Sequence, residues 1–337
     1  MIVWWLVSLV FIASWLLTLC LRRYALSRSL MDIPNARSAH TVPTPRGGGV
    51  AIVVSFLVTL PFISQLNLLD IKNLCSLLGA GALVALTGFA DDHGHIAARW
   101  RLLGHFIAAG WALFWLGGLA PVEIFDTKVD LGWAGNFLAL IYLVWMLNLY
   151  NFMDGIDGLA SAEAISVCLG MCLIYWLGAN AGLVCGPLLL AAAVAGFFCW
   201  NFPPAKIFMG DAGSGFLGVT LGIIALQAAW QEPALLWSWI ILLGVFIVDA
   251  TWTLARRLLK GEKVYQAHSS HGYQHAARRF GHKRVTMAVV VINIAYLLPL
   301  SALVALHHLS GVFGLLIAFA PLVVIAYMLN AGQARSV

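Results

Sequence analysis

The sequence predicts an all-α fold, a polytopic membrane helix bundle, and three observations carry that prediction. Hydrophobic residues make up 62% of the 337 positions and charged residues 10%, whereas about a quarter of the residues in soluble domains are charged. The mean hydropathy is +0.91. Eleven apolar windows approach the roughly 20 residues needed to cross ~30 Å of hydrocarbon, and nearly every carboxylate lies at or just beyond the end of one.

The windows fall at 2–21, 47–66, 74–90, 102–120, 131–150, 159–178, 181–200, 213–231, 234–255, 285–306 and 309–330. They leave little chain for a soluble domain, so residues 1–337 read as one membrane domain. The first window has no preceding basic residue, a long apolar run and no small-residue cleavage site after LTLC, so it is expected to remain as a helix. Between 119 and 131, VEIFDTKVDL alternates apolar and polar residues and predicts a small hairpin.

Eleven crossings would put the polar segments on alternate sides. On that count 17 of the 19 Lys and Arg residues share one side, with Lys72 and Lys128 opposite. The positive-inside rule makes the rich side cytosolic, with the N-terminus outside and the C-terminus inside. The net charge of +5 then belongs to loops lying near anionic lipid and anionic substrates, not to a nucleic-acid surface. The six cysteines form no CxxC pattern and read as small core residues.

The same parity gathers Asp32, Asp91, Asp92, Asp154, Asp157, Asp211 and Glu262 on the cytosolic side. Asp91 and Asp92 directly follow LVALTGFA, at the end of a helix where the macrodipole opposes negative charge. Adjacent acids there suit a divalent cation or a cation-bridged diphosphate. In NLYNFMDGIDGLA, Asn148 and Asn151 are three apart at a helix end, and Asp154 and Asp157 are three apart beyond it. Gly155 and Gly158 there allow tight turns.

FMGDAGSGFLG places Asp211 in a glycine-rich turn that opens the eighth window, with Ser214 positioned to cap it and Lys206 just upstream. The N–H groups of such a helix start can hold phosphate. The Arg256–Arg284 stretch carries His268, His271 and His275, and a helical turn would point the first two the same way. No cysteine or third ligand has zinc spacing. MDIPNARSAHTVPTPRGGGVA offers Arg37, His40 and Arg46 in a loop shaped by Pro and Gly. Asp249, Glu163 and His105 fall inside apolar windows, where an ionisable group faces the bundle interior or water. Asp249 is close enough to Arg256 to reach the cytosolic end, Glu163 is near the Asp154 cluster, and His105 reads as a packed group.

With these residues assembled, the chain resembles the polyprenyl-phosphate N-acetylhexosamine-1-phosphate transferases. That family starts O-antigen and common-antigen synthesis and includes the peptidoglycan translocase. The resemblance covers essentially the whole chain, with four motifs in family order: the Arg37 to Gly49 loop, Asp91–Asp92, Asn148 to Gly158 and the Asp211 turn, followed by the basic histidine loop. It implies Asp211 as the main Mg²⁺ ligand, with Asn151 a second contact to metal or diphosphate and Mn²⁺ the alternative ion. It sets Asp91 and Asp92 beside the attacking lipid phosphate, and Asp154 and Asp157 along the nucleotide-sugar cleft. Asn148, Arg37, His40, Arg99, Arg101, Lys206, Asp249, His268 and His271 are expected to bind the anionic substrates. The row Ala267-His268-Ser269-Ser270-His271-Gly272-Tyr273-Gln274 is similar to the O-antigen initiating branch, not to the three consecutive histidines of the peptidoglycan enzyme.

The reaction so implied moves a sugar-1-phosphate from a UDP-N-acetylhexosamine to undecaprenyl phosphate, releasing UMP. Two alternatives compete with it: phospho-MurNAc-pentapeptide transfer and secondary transport of an anionic solute. Transporters place coupling acids near the midplane and show paired repeats; here the acids sit at helix ends. The sequence leaves open whether the chain forms a homodimer.

Overall fold

The computed structural model describes residues 2–34, 42–94, 96–125, 127–262 and 268–333. The first eight α-helices are α1 (Ile2–Ser27), α2 (Val50–Gln65), α3 (Ile71–Gly94), α4 (Ala98–Leu116), α5 (Gly132–Met153), α6 (Leu159–Leu177), α7 (Cys185–Asn201) and α8 (Asp211–Gln231). The rest are α9 (Ala234–Leu242), α10 (Gly244–Leu259), α11 (Gly272–Phe280), α12 (His282–Ile292), α13 (Leu298–Ala305) and α14 (Gly311–Met328).

Every predicted window is occupied by helix. Among the described residues, eight helical stretches are long and apolar enough to cross a membrane, nine if α9 and α10 count as one span. Helix α2 has 16 residues, and α4 opens with Arg99, Arg101 and His105 in its first two turns. The chain is a multi-pass membrane protein.

The core is built around α8, which is buried along all but its ends and packs against α3 and α5. Small residues permit that closeness, as in other membrane helix pairs: a Cβ on Gly218 would lie 2.3 Å from Met146 O. Helix α1 lies at the periphery along α7 and turns Trp4, Leu9 and Ile12 outward, the arrangement suited to hydrocarbon. Two short ribbons accompany the helices. One pairs β1 (Met31–Asp32) with β2 (Thr44–Pro45); the other is the expected hairpin of β3 (Val122–Ile124) and β4 (Thr127–Val129), with Glu123 opposite Lys128. Trp237 Nε1 donates to Glu123 O at 2.7 Å and ties the hairpin to α9.

Two windows depart from simple spans, and the histidine stretch departs from its expected turn. The 234–255 stretch breaks at Leu243, and α9 and α10 meet at 71°. The 285–306 stretch contains a π-turn at Asn293–Leu297, where Asn293 Nδ2 donates to Glu163 Oε2 at 2.7 Å and Ser166 Oγ at 2.8 Å. That bonding makes Glu163 a packed polar group between α6 and the π-turn. The basic histidine stretch contains helix α11, and His271 at the start of that helix is extended at φ −68°, ψ 149°. The expected helical turn over His268 and His271 is therefore absent, because His271 is the N-cap and lies outside the helix.

Candidate active site

The N-terminus of α8 is the hub of the site, and glycines allow three segments to close on it. A Cβ on Gly88 of α3 would lie 2.6 Å from Ala212 N, and Gly49 and Gly213 meet Cα to backbone in the same way. Gly210 has φ +80°, a conformation that glycine adopts without strain. Asp92, one turn beyond Gly88, then reaches the free N–H groups of the helix start. Asp211 N donates to its Oδ1 at 3.3 Å and Ala212 N to its Oδ2 at 3.4 Å.

Asp92 thus supplies the cap expected of Ser214, whose hydroxyl instead donates to Gly210 O at 3.2 Å inside the helix. Two of the N–H groups read from sequence as phosphate donors are occupied by that carboxylate. Arg46 completes the junction, with Nη2 3.2 Å from Asp92 Oδ1 and 2.5 Å from Asp92 O. Arg101 of α4 bridges the other acids, bonded to Asp91 Oδ2 and 3.4 Å from Asp211 Oδ2. Asp91 Oδ1 also accepts from Ile96 N at 2.8 Å.

The bonding of Asp92 yields a testable expectation. Asn at a cap is about as good as Asp, whereas Ala costs ~1 kcal/mol. Asp92→Asn is therefore expected to keep turnover within about tenfold, while Asp92→Ala loosens Asp211 and costs about a hundredfold, the scale of a ~1 Å misplacement. Steady-state rates of the two purified variants decide it: an Asn variant as inactive as the Ala variant would mean that the carboxylate itself is chemically required.

The end of α5 supplies the second wall. Asn148 is fixed by donating Nδ2 to Val144 O at 2.7 Å and lies 3.5 Å from His105 Nδ1. Asn151 borders the same cavity one turn later, and Asp154 is the residue at which the helix ends. Asp157 faces another way: its Oδ2 accepts from Ala205 N at 3.0 Å and its Oδ1 lies 3.2 Å from His282 Nδ1. Of the two expected glycine turns, Gly158 has φ +74°, while Gly155 serves to admit the Tyr273 hydroxyl, which would be 2.2 Å from a Cβ there.

The histidine stretch forms the third wall. Asp249 of α10 accepts from Gly272 N at 2.9 Å and Tyr273 N at 2.7 Å, capping α11 from a different helix. Its Oδ1 is also 3.3 Å from His271 Nδ1. It stands behind His271 and orients it, because both its oxygens are committed to the cap. The His271 and His268 rings stack with centroids 4.9 Å apart, and Phe152 also stacks on His271, at 6.1 Å. Burial, then the positive potential of His271 and Arg257, lowers the His268 imidazole to about 4, so it is neutral near pH 7.

The three walls enclose a cavity of ≈ 480 Å³ lined by Arg101, His105, Asn148, Asn151, Asp211, His268, His271 and Gln274. Asp211 and Arg101 line it, and beside it Asp91, Asp92 and Asp211 pair with Arg46 and Arg101. Burial, followed by the negative charges of Asp211, Asp92 and Asp157, pushes the half-buried Asp154 carboxyl well above its ordinary value. A raised acid destabilises the fold once pH exceeds its unfolded value near 3.9, and the penalty is absent below that pH. Asp154→Asn in EDTA is thus expected to raise the midpoint by about 2 °C at pH 7.5 and by nothing at pH 4. Thermal melts at the two pH values check this, and a variant that melts lower at pH 7.5 would contradict it.

Several predicted residues lie elsewhere. Lys206 sits over Trp200, 5.5 Å from its ring centroid, and Arg99 sits over Trp100 at 5.6 Å; neither borders the cavity. Arg37 and His40 lie outside the described residues. Gly88, Tyr273 and Gln274 have no role expected from sequence, and His105, expected to be a packed group, lines the cavity. Gly88 left one signal, a glycine inside an otherwise strong helix one turn before two acids.

A buried glycine-packed helix start ringed by carboxylates, arginines and histidines at one end of a membrane bundle defines a polytopic protein with a polar site for charged ligands. Comparison with known proteins narrows that class. Residues 74–229 match the profile described as glycosyl transferase family 4. The probable undecaprenyl-phosphate N-acetylglucosaminyl 1-phosphate transferase of Bacillus subtilis is 28% identical over 86% of this chain and 81% of its own length. The phospho-N-acetylmuramoyl-pentapeptide-transferase of Streptococcus pneumoniae is 32% identical over 66% of this chain and 71% of its own. The decaprenyl-phosphate N-acetylglucosaminephosphotransferase of Mycolicibacterium smegmatis is 28% identical over 84% and 76%. The chain belongs to the polyprenyl-phosphate N-acetylhexosamine-1-phosphate transferase family.

Proposed function

We propose that this protein transfers N-acetylhexosamine-1-phosphate from a UDP-sugar to undecaprenyl phosphate at the cytosolic face of a bacterial inner membrane, crossing it eleven times with its N-terminus outside. It makes the first lipid-linked intermediate of O-antigen or a related envelope glycan. The observation that carries the reading is the single cavity bounded by Asp211, Asn151, Asn148, Arg101 and the two histidines, beside the Asp91–Asp92 pair.

Asp91, Asp92 and Asp211 outnumber the two guanidiniums they pair with, and a divalent cation would offset that excess of negative charge. Among the described residues no three His, Cys, Asp or Glu side chains converge as a ready cage. That suits Mg²⁺, which takes one or two carboxylates and completes its shell with water and substrate phosphate oxygens. Asp211 and Asn151 are the residues to hold it, and when bound it withdraws charge from the donor diphosphate.

The acceptor phosphate, with a second pKa of about 6, is largely dianionic at neutral pH and needs little base help. One of its oxygens forms the new bond to the donor's β-phosphorus as the bond from that phosphorus to the UMP oxygen breaks, and UMP leaves with the electron pair. Arg101 neutralises phosphate charge, Asp91 orients the acceptor and accepts any residual proton, and Asp92 holds Asp211 in place. Asp154 and the histidine wall orient the nucleotide sugar, and Asp249 keeps the His271 ring in position. Asp92 is committed to the α8 cap, which argues for direct attack over a covalent aspartyl intermediate.

The test is UMP release by detergent-purified protein with undecaprenyl phosphate, Mg²⁺ and a panel of UDP-N-acetylhexosamines that includes the muramoyl pentapeptide donor. Lipid-dependent, EDTA-sensitive release with a simple hexosamine is the expected result. Release from the pentapeptide donor alone would reassign the substrate, and none from any donor would overturn the reading.

A further inference from the structure

At the same end of the bundle, on the flank formed by α1 and α7, a second group of charges lies outside the acid cluster. Trp200 packs on Trp15 with ring centroids 5.4 Å apart and donates its indole N–H to Trp15 O at 3.2 Å. Two cations flank that indole, Arg22 with Cζ at 5.9 Å and Lys206 with Nζ at 5.5 Å from the centroid. Arg22 Nε donates to Lys206 O at 3.3 Å, which fixes the guanidinium beside the lysine's backbone. Lys283 stands over neighbouring Phe202 at 5.7 Å.

Among the described residues, neither Arg22 nor Lys206 has a carboxylate within 4.0 Å, whereas Arg46, Arg101 and Arg257 all do. Two like charges held on one ring raise each other's energy unless an anion joins them, because a cation–π contact at an exposed site is worth only about 0.5–1 kcal/mol.

The same helix pair, with α6, encloses an outward-facing apolar groove of ≈ 460 Å³. Phe11 and Ile12 of α1, Leu169 of α6 and Leu188 of α7 form its sides, and Ala191 and Ala195 make its floor shallow. Phe11 lies eleven residues from Arg22 on one helix, about 16 Å at 1.5 Å per residue. That is about half the ~30 Å hydrocarbon thickness, the depth of one leaflet.

We infer that α1, α6 and α7 form a binding site for one anionic phospholipid, with its head-group phosphate between Arg22 and Lys206 and an acyl chain running to the groove. The site is distinct from the acid-lined cavity and does not depend on which reaction that cavity performs. Unpaired cations select negative head groups, and the alanine floor gives the chain room.

The test follows lipid retention by native mass spectrometry of the purified full chain, with thermal melts after adding phosphatidylglycerol, phosphatidylcholine, inorganic phosphate or undecaprenyl phosphate. Phosphatidylglycerol is expected to be retained about tenfold better than phosphatidylcholine, the order expected of two basic groups near an anionic surface, and to raise the midpoint. The Arg22→Gln/Lys206→Gln variant should lose that preference while melting like the unaltered protein without lipid. Ala195→Leu, which fills the groove, should lower retention with both cations intact. Equal retention of both lipids, or a preference unchanged in the double variant, would overturn the inference. So would equal protection by inorganic phosphate, or displacement of phosphatidylglycerol by equimolar undecaprenyl phosphate, which would make the site one for free anions or for the acceptor.

Discussion

Asp211→Asn is expected to lower UMP release by about 10³-fold, the upper range for removing one electrostatic group from a preorganised site, without unfolding the protein. Asp211 is the first residue of α8, and its backbone N–H is held by Asp92, so the side chain is aimed by helix geometry. Asparagine keeps the shape and the helix start but removes the charge that balances Arg101, 3.4 Å away, and that would hold a cation. Substrate affinity measured by nucleotide binding should fall far less than turnover, because the charge matters most where diphosphate charge moves to the leaving group. Loss of less than tenfold would remove Asp211 from the proposed cation site.

The second large effect is expected from a residue that touches no substrate. Gly88→Ala adds one methyl group 2.6 Å from Ala212 N and 2.6 Å from Asp211 C, and both neighbours are backbone atoms that cannot rotate away. The two helices must separate by nearly 1 Å, which draws Asp91 and Asp92 off the α8 start and opens the Arg101 bridge. A shift of that size costs about 10² in rate. Overpacking costs ~1–3 kcal/mol, partly offset by alanine's helix propensity of ~1 kcal/mol over glycine, so the protein should still fold. Gly110→Ala in α4, where a Cβ meets nothing within 4 Å, is the control. Rates for both variants at matched thermal stability separate the readings, and a Gly88→Ala enzyme as active as the Gly110→Ala enzyme would show that this contact does not position the acids.

Those two residues mark how far the sequence could be read. The apolar windows are legible because a helix in hydrocarbon must satisfy its own backbone and cover itself with apolar side chains, so each leaves a run of about 20 residues. The β3–β4 hairpin is legible because strands alternate locally. The acids were found by their places at helix ends, and several of those segments do converge: Asp92 and Asp211 meet across 119 positions. What each acid does was not legible. Asp92 and Asp249 look like Asp91 and Asp211 in a string of letters, yet Asp92 caps α8 and Asp249 caps α11, both from other helices.

The sequence by itself determined the helix segments, the hairpin and the polar segments that gather at one end, since each depends on the free energy of short stretches in lipid or at its edge. Only the tertiary structure decided the break at Leu243, the π-turn at Asn293, the cap that Asp92 places on α8 and the turning of Asp157 toward His282. These depend on which helix lies beside which. The glycines of α8 and α3 set that by letting backbones approach, and the long-range hydrogen bonds to buried carboxylates fix it.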